Sequence, residues 1–325
     1  MIKYIYILFI IVLIENWNLQ AQDPQFTQFY SNPLYQAPSF AGAVEGYRAS
    51  MNYRDQWPSL PGKVTTVTFA MDYNMAALNS GIGIFAMKDN IGTTELSNLN
   101  LGVLYSFNVK INRKVFFRPG VGIYYTQRTL DYNKLIFPSE LSVSGIKPIL
   151  PSELSDVQAM DASVSGLLFM GNVWAGLTAD HLITPNISFT KDASKLPVKY
   201  TLFGGYRFYK VERLIGAVRQ SITIAGTYKH QGVADQLDLG TYWSYDPFSF
   251  GFWYRDLPFI KDYSRRDAIA VLIGYVYKDV SVGYSYDFTI SRMITNTGGA
   301  HEISLIYKFE IESHKKFKPI PCPGF

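Results

Sequence analysis

The sequence predicts an all-β protein, a transmembrane antiparallel up-and-down β-barrel of about fourteen strands with both termini periplasmic. Three observations predict it: a two-residue alternation that recurs along the chain, an export-type N-terminus, and many aromatic residues with few charges. The alternation is plainest near the C-terminus, where Val280, Val282, Tyr284, Tyr286 and Phe288 are separated by Ser281, Gly283, Ser285 and Asp287. The last regular segment repeats it, with Ile303, Leu305, Tyr307 and Phe309 set against Glu302, Ser304, Ile306 and Lys308. A period of two means strands with one face in an apolar medium and the other in a polar one. These segments run about 9 to 12 residues, the length of a tilted membrane crossing, whereas globular strands are nearer 5 or 6.

The N-terminus reads as an export signal over residues 1–21. Lys3 gives a positive start, Tyr4 to Ile14 is an apolar run, and a more polar stretch leads to Ala21, after which cleavage is expected. Glu15, Asn16 and Asn18 interrupt the run before the roughly 20 apolar residues that a spanning helix needs. The chain carries 24 Tyr, 22 Phe and 5 Trp, residues that form interfacial girdles on barrels. Charged residues make up 17%, against about a quarter in soluble domains. The net charge of +4 is scattered rather than striped, which excludes a nucleic-acid footprint. Cys322 is the single cysteine, so no intrachain disulfide forms.

In order, strands are expected near 44–56, 63–74, 80–89, 95–109, 112–126, 156–170, 171–182, 197–210, 219–230, 235–246, 248–256, 266–278, 279–290 and 300–311. Val67, Phe69, Met71 and Tyr73 mark the apolar face of the second, and Leu99, Leu101, Val103, Tyr105 and Phe107 that of the fourth. Tyr200, Leu202, Tyr206 and Phe208 do so for the eighth, and Leu237, Leu239, Trp243 and Tyr245 for the tenth. The connections sort by parity. Those near Asn112, Gly171, Asp246-Pro247 and Lys278-Asp279 are short and fall on one side. The long ones, near 127–156, 184–196, 256–265 and 289–299, fall on the other, expected to be extracellular. The stretch Val211 to Val218 is a longer turn on the short side. Residues 22–43 precede the barrel, which spans 44–311, as a periplasmic or lumenal segment. Residues 312–325, rich in proline and lysine, follow it as a periplasmic tail that cannot join the sheet.

No catalytic, cofactor-binding or metal-ligating set emerges. His181, His230, His301 and His314 lack metal-ligand spacing, and neither a Gly-x-Ser-x-Gly elbow nor a P-loop occurs. Gly81-Ile82-Gly83 reads as close backbone packing or a barrel bend, not a nucleotide loop. Arg255, Lys261, Arg265 and Arg266, in a long connection, read as a binding patch or, as a lone cluster more usually does, as a solvated face. The expectation is a protein that is not an enzyme and needs no cofactor.

Longer blocks carry a resemblance. Asp23-Pro24-Gln25-Phe26-Thr27-Gln28-Phe29-Tyr30-Ser31-Asn32-Pro33-Leu34-Tyr35, ending in Pro38-Ser39-Phe40-Ala41-Gly42, opens the mature chain. Asn52-Tyr53-Arg54-Asp55-Gln56-Trp57-Pro58, Asp72-Tyr73 and Asp89-Asn90-Ile91-Gly92 follow, and Gly298-Gly299-Ala300-His301-Glu302-Ile303-Ser304-Leu305 closes it. Together they resemble the PorP/SprF family of type IX secretion system membrane proteins of Bacteroidetes, over essentially the whole mature chain. Ala300 is an insertion in the usual Gly-Gly-His-Glu, and Ala37-Pro38-Ser39 stands for Asn-Pro-Ala.

The resemblance implies a bacterial outer-membrane barrel without catalysis of its own, serving protein secretion, gliding motility and adhesin anchoring. The implied partners are a large secreted adhesin with a C-terminal secretion domain, type IX periplasmic ring or peptidoglycan-binding proteins, and the lipid bilayer. A channel for small solutes or hydrophobic ligands is the alternative. Candidate partner-binding residues are Asp23, Pro24, Gln25, Phe26, Gln28, Phe29 and Tyr30. Aromatic rings there anchor while the amides hydrogen-bond backbone. Asn52, Arg54 and Gln56 join them on one face of the first strand, with Arg54 expected at the lumen or inner rim and more consequential than Lys199. Tyr307 and Phe309, ending the last strand, are expected to form the barrel assembly signal.

Overall fold

The computed structural model describes residues 23–93, 96–131, 156–189, 193–212, 218–256, 268–290 and 297–309. Alternation becomes strand throughout. The strands are β1 (Tyr47–Gln56), β2 (Val64–Met75), β3 (Ser80–Ile91), β4 (Leu96–Phe107), β5 (Val109–Lys110), β6 (Val115–Thr129), β7 (Val157–Met170) and β8 (Val173–Asp180). They continue as β9 (Lys199–Glu212), β10 (Val218–Gln231), β11 (Ala234–Tyr245), β12 (Phe248–Arg255), β13 (Ala268–Tyr277), β14 (Val280–Thr289) and β15 (Ala300–Phe309). Apart from β5, each pairs antiparallel with the next along the chain, and β1 pairs with β15, Tyr47 opposite Phe309 and Arg54 opposite Glu302. β5 is a two-residue piece against the start of β6, while β4 pairs with β6 directly. Fourteen strands therefore close into a barrel with no free edge.

Burial follows the pleat. On β1, Ser50, Asn52 and Arg54 are buried while Met51 and Tyr53 lie exposed on the outer surface. On β14, Ser281, Ser285 and Asp287 are buried while Val282, Tyr284 and Phe288 face out. An apolar exterior around a polar interior is the arrangement of a membrane barrel. Among the described residues no helix is long and apolar enough to cross a membrane, which bears only on helices.

The two ends of the barrel differ. At one end the strands turn over in a few residues, at 76–79, 171–172, 246–247 and 278–279. Two of these two-residue hairpins use left-handed backbone, at Gly171 (φ 56°) and Lys278 (φ 52°), as the strand twist requires. The connections 130–156, 181–198, 256–267 and 290–299 all leave from the other end. The outer surface near the short turns carries a belt of touching rings. Trp243 stacks on Phe250 (centroids 5.7 Å apart), Phe248 meets Tyr275 (5.3 Å), and Tyr307 adjoins Phe309 (6.4 Å). Amphipathic rings of this kind sit at the lipid headgroup level.

Residues 23–46 do not lie outside the barrel. They thread its lumen from the long-connection end, where Asp23 meets Lys199 at the start of β9, to the short-turn end, where Gly42 meets Asp72 on β2. One helical turn, α1 (Pro33–Gln36), begins on a proline whose missing N–H would be unpaired there anyway. A 3-10 turn over Pro38–Phe40 follows. Phe26, Phe29, Tyr30, Leu34 and Phe40 pack on lumenal Trp174, Phe203, Tyr242 and Trp253, so the barrel has an interior core made by this plug. Asp23 and Phe309 consequently sit at opposite ends, although the even strand count places Tyr47 and Phe309 at the same one.

Candidate functional site

Three polar nodes hold the plug to the wall. The node nearest the short turns starts at Arg48 on β1. It forks onto Asp72 at 2.8 and 3.1 Å and donates to the Phe40 carbonyl at 3.2 Å. Asp72 also accepts the Gly42 N–H at 2.7 Å, so one carboxylate joins wall and plug. Beside it, Arg118 donates to Ser106 Oγ at 2.8 Å and to the Ala41 carbonyl. The plug backbone approaches the wall only where side chains are missing. A Cβ on Gly81 would lie 2.1 Å from the Ala41 oxygen, and one on Gly120 would lie 2.3 Å from the Ser39 nitrogen. Close backbone packing is thus the role of the first glycine in Gly81-Ile82-Gly83.

The middle node spans the barrel. Arg54 donates to Asp287 at 2.8 Å, Glu302 at 3.2 Å and Thr27 Oγ1 at 3.0 Å. Arg255 donates to Asp238 and Thr27 Oγ1 at 3.2 Å and to Asp287 at 3.4 Å. Lys229 completes the set at 3.2 Å from Asp238. Three cations thus meet the carboxylates of Asp238, Asp287 and Glu302, the condition under which buried charge is tolerated. Glu302 also accepts the backbone N–H groups of Thr27 (2.8 Å) and Gln28 (3.1 Å). The Gln28 side chain donates to the Glu302 carbonyl at 2.8 Å and accepts from Ser304 at 2.6 Å. Asn52 donates to Ser31 Oγ, and Asn32 donates to Thr68 at 3.0 Å. Phe29 sits edge-on to Trp253 at 4.7 Å and Tyr30 edge-on to Tyr242 at 5.2 Å.

At the long-connection mouth Asp23 accepts from Lys199 Nζ at 2.6 Å and pairs with His181 Nε2 at 2.9 Å. The other ring nitrogen of His181 meets Asp161 at 2.5 Å, and Lys199 also pairs with Asp180 at 3.2 Å. Burial alone would lower the basicity of His181, but the Asp23 and Asp161 carboxylates raise its pKa to about 10. Burial would likewise push Asp23 up, yet Lys199 and His181 hold it well below the usual carboxylate range. Tyr35, its phenol pushed up by burial, stays protonated and donates to the Pro24 carbonyl.

Of the partner-binding candidates, Phe26, Gln28, Phe29, Tyr30, Asn52 and Arg54 are buried in contacts within the chain. Asp23, Pro24, Gln25 and Gln56 keep partial exposure. Tyr307 and Phe309 face outward in the ring belt. One expectation needs correction. Arg255 ends β12 pointing into the lumen and belongs to the middle node, not to a solvated cluster; Lys261, Arg265 and Arg266 lie outside the described residues. Lys199 anchors Asp23. The partners His181, Asp161, Asp180, Asp238 and Asp287 were not singled out from sequence. The available signal was their parity, since each strand charge among them falls on the lumenal face. Cys322 and His314 also lie outside the described residues. Among the described residues no group of three or more His, Cys, Asp or Glu is placed to hold a metal.

Two recesses open at the long-connection mouth on either side of Asp23 and Lys199. One, of about 740 Å³ with its open mouth, is lined by Gln25, Phe29, Lys229 and Gln236. The other, about 1060 Å³ on the same measure, is lined by Phe85, Asp89, Asn98, Asn100, Tyr124 and Arg128.

Residues 18–307 match the sequence profile of the type IX secretion system membrane protein PorP/SprF family. The chain belongs to that family. No curated protein matches it. Among solved structures, the Acinetobacter baumannii outer membrane protein Omp33 aligns at 8% identity with a TM-score of 0.47, over 82% of this chain and 100% of that one. The Ralstonia pickettii toluene transporter TbuX aligns at 11% identity with a TM-score of 0.47, over 86% and 94%. A PorP/SprF member built as a closed barrel with a lipid-facing exterior is an outer-membrane protein of the type IX secretion machinery. The family is one of secretion-system membrane proteins, not an enzyme family.

Proposed function

We propose that this barrel is a plugged, non-catalytic platform that binds a large cell-surface adhesin for export or anchoring and contacts the periplasmic machinery. In this reading the long connections face outward and the short turns face the periplasmic ring and wall-binding proteins. The observation that carries it is the lumenal plug. A segment fixed by three ionic nodes and an aromatic core occupies the path that a solute channel would keep open. What remains for a partner is the surface formed by the long connections and the mouth around Asp23, Pro24 and Gln25. The buried candidates serve that platform by fixing its interior.

Purification of the native protein from outer membranes in mild detergent, with mass spectrometry of what accompanies it, tests the reading. A stoichiometric large surface protein, or ring and wall-binding proteins, is expected. A barrel that purifies alone and conducts ions in planar bilayers would replace the platform with a channel.

A further inference from the structure

We infer that the larger recess at the long-connection mouth binds a primary ammonium group carried on an alkyl stem. Strand register builds the site. Asp89 on β3 lies opposite Asn98 on β4, and Asn100 stands two residues along the same face. Neighbouring strands are about 5 Å apart and alternate residues about 7 Å apart, so the three side-chain tips can converge on one atom. Asp89 is 2% exposed, and among the described residues its carboxylate receives one hydroxyl, from Thr66 at 2.5 Å, and no cation. Among the described residues the Oδ1 atoms of Asn98 and Asn100 are buried without a donor. Buried acceptors that are short of donors are costly unless a ligand brings them. An alkylammonium brings three N–H donors and no acceptor.

Two other cations of the recess are already paired with carboxylates. Lys199 and His181 pair with Asp23, Asp180 and Asp161. Arg128, opposite Asn98 on β6, turns to the Ile187 carbonyl at 3.1 Å and lies 5.6 Å from the Phe189 ring. Next to the acceptors the wall is apolar, with Met87, Phe85 and the ring of Tyr124. That ring lies along the wall because Cβ atoms on Gly102 and Gly122 would come within 2.5 Å and 2.7 Å of it. Thioether and aromatic faces suit a methylene stem, and an aromatic face adds attraction for the cation.

A free diamine and a peptide lysine side chain carry the same chemistry, and calorimetry on the purified full-length barrel separates them. Cadaverine and N-acetyl-lysine methylamide are titrated against 1-pentanol and N-acetyl-norleucine methylamide. Saturable binding of either amine, with neither uncharged probe binding, is expected. Cadaverine alone marks a small amine, and the lysine derivative alone or with it marks a peptide side chain. Asp89→Asn, which keeps shape and removes charge, should weaken binding at least tenfold, as should Asn100→Leu if Asp89→Asn does not assemble. Asp235→Asn, in the neighbouring recess, should bind as the unaltered chain does. Equal affinity for charged and uncharged probes, no binding of either amine, or unchanged binding by the assembled variants would overturn the site.

Discussion

Arg54 on β1 and Asp287 on β14 are 2.8 Å apart, although β15 lies between their strands. The guanidinium reaches inside the barrel across the strand that closes it and also holds Glu302 on that strand. One side chain therefore joins the two ends of the sheet to each other and, through Thr27, to the plug.

Arg54→Leu leaves Asp287 and Glu302 without this counter-charge in a buried site, a change that costs on the order of 3–5 kcal/mol. The expected outcome is a large loss of the heat-modifiable folded band of outer-membrane barrels. Arg54→Lys, which keeps charge but not the planar fork, should fall between. Equal folded yields for all three chains would show that the seam does not depend on this residue.

Lys199→Leu should have a different effect, since Lys199 sits at the mouth and holds the tip of the plug. Barrel yield should stay near normal, while a spin label at Gln25→Cys becomes more mobile. An immobile label in that variant would place the anchor elsewhere.

The same tip should respond to pH. Protonated His181 has its pKa raised to about 10 by the carboxylates around it. Its contribution is complete below the unperturbed value of about 6.5 and is lost as pH rises through the folded one. Asp23 is held below its ordinary value by Lys199 and His181 against burial, so its contribution is complete above about pH 4 and fades below. The Gln25→Cys label should be most immobile between about pH 4 and 6.5, loosening on both sides. A flat profile would contradict the charge assignment.

Gly120→Val and Gly81→Val should unseat the plug, because their side chains would meet plug backbone rather than a movable side chain. New protease cleavage within residues 23–43 is the expected readout. A plug as resistant as in the unaltered chain would mean that the wall can give way there.

Phe309→Ala should insert at several-fold lower levels if the terminal ring belt guides assembly, and immunoblots of outer membranes measure it. Normal insertion would confine Phe309 to packing against Tyr307.

The strands were legible because lipid on one side and a polar lumen on the other impose a period of two that local sequence must obey. Even the parity of the connections could be counted. The nodes were not legible, since their partners lie far apart in sequence, as Thr27 and Glu302 do, and only the closed barrel brings them together. Arg255 was misread because it ends a strand beside a long connection, where face and loop are hard to separate. Lumenal charges on alternating strand positions did carry a warning, because such groups require counter-charges within reach.

The course of residues 23–46 also constrains the order of assembly. The segment is continuous with β1 at the short-turn end and bonded to β14 and β15 midway up the lumen, through Thr27 and Gln28. Entry into a finished cylinder would require bulky rings to slide past glycine-lined walls with almost no clearance. The sheet must instead wrap around a segment already in place. Arg54, Gln28 and Glu302 then come together only when the last hairpin arrives, so closure of the wall and occupation of its interior are a single event.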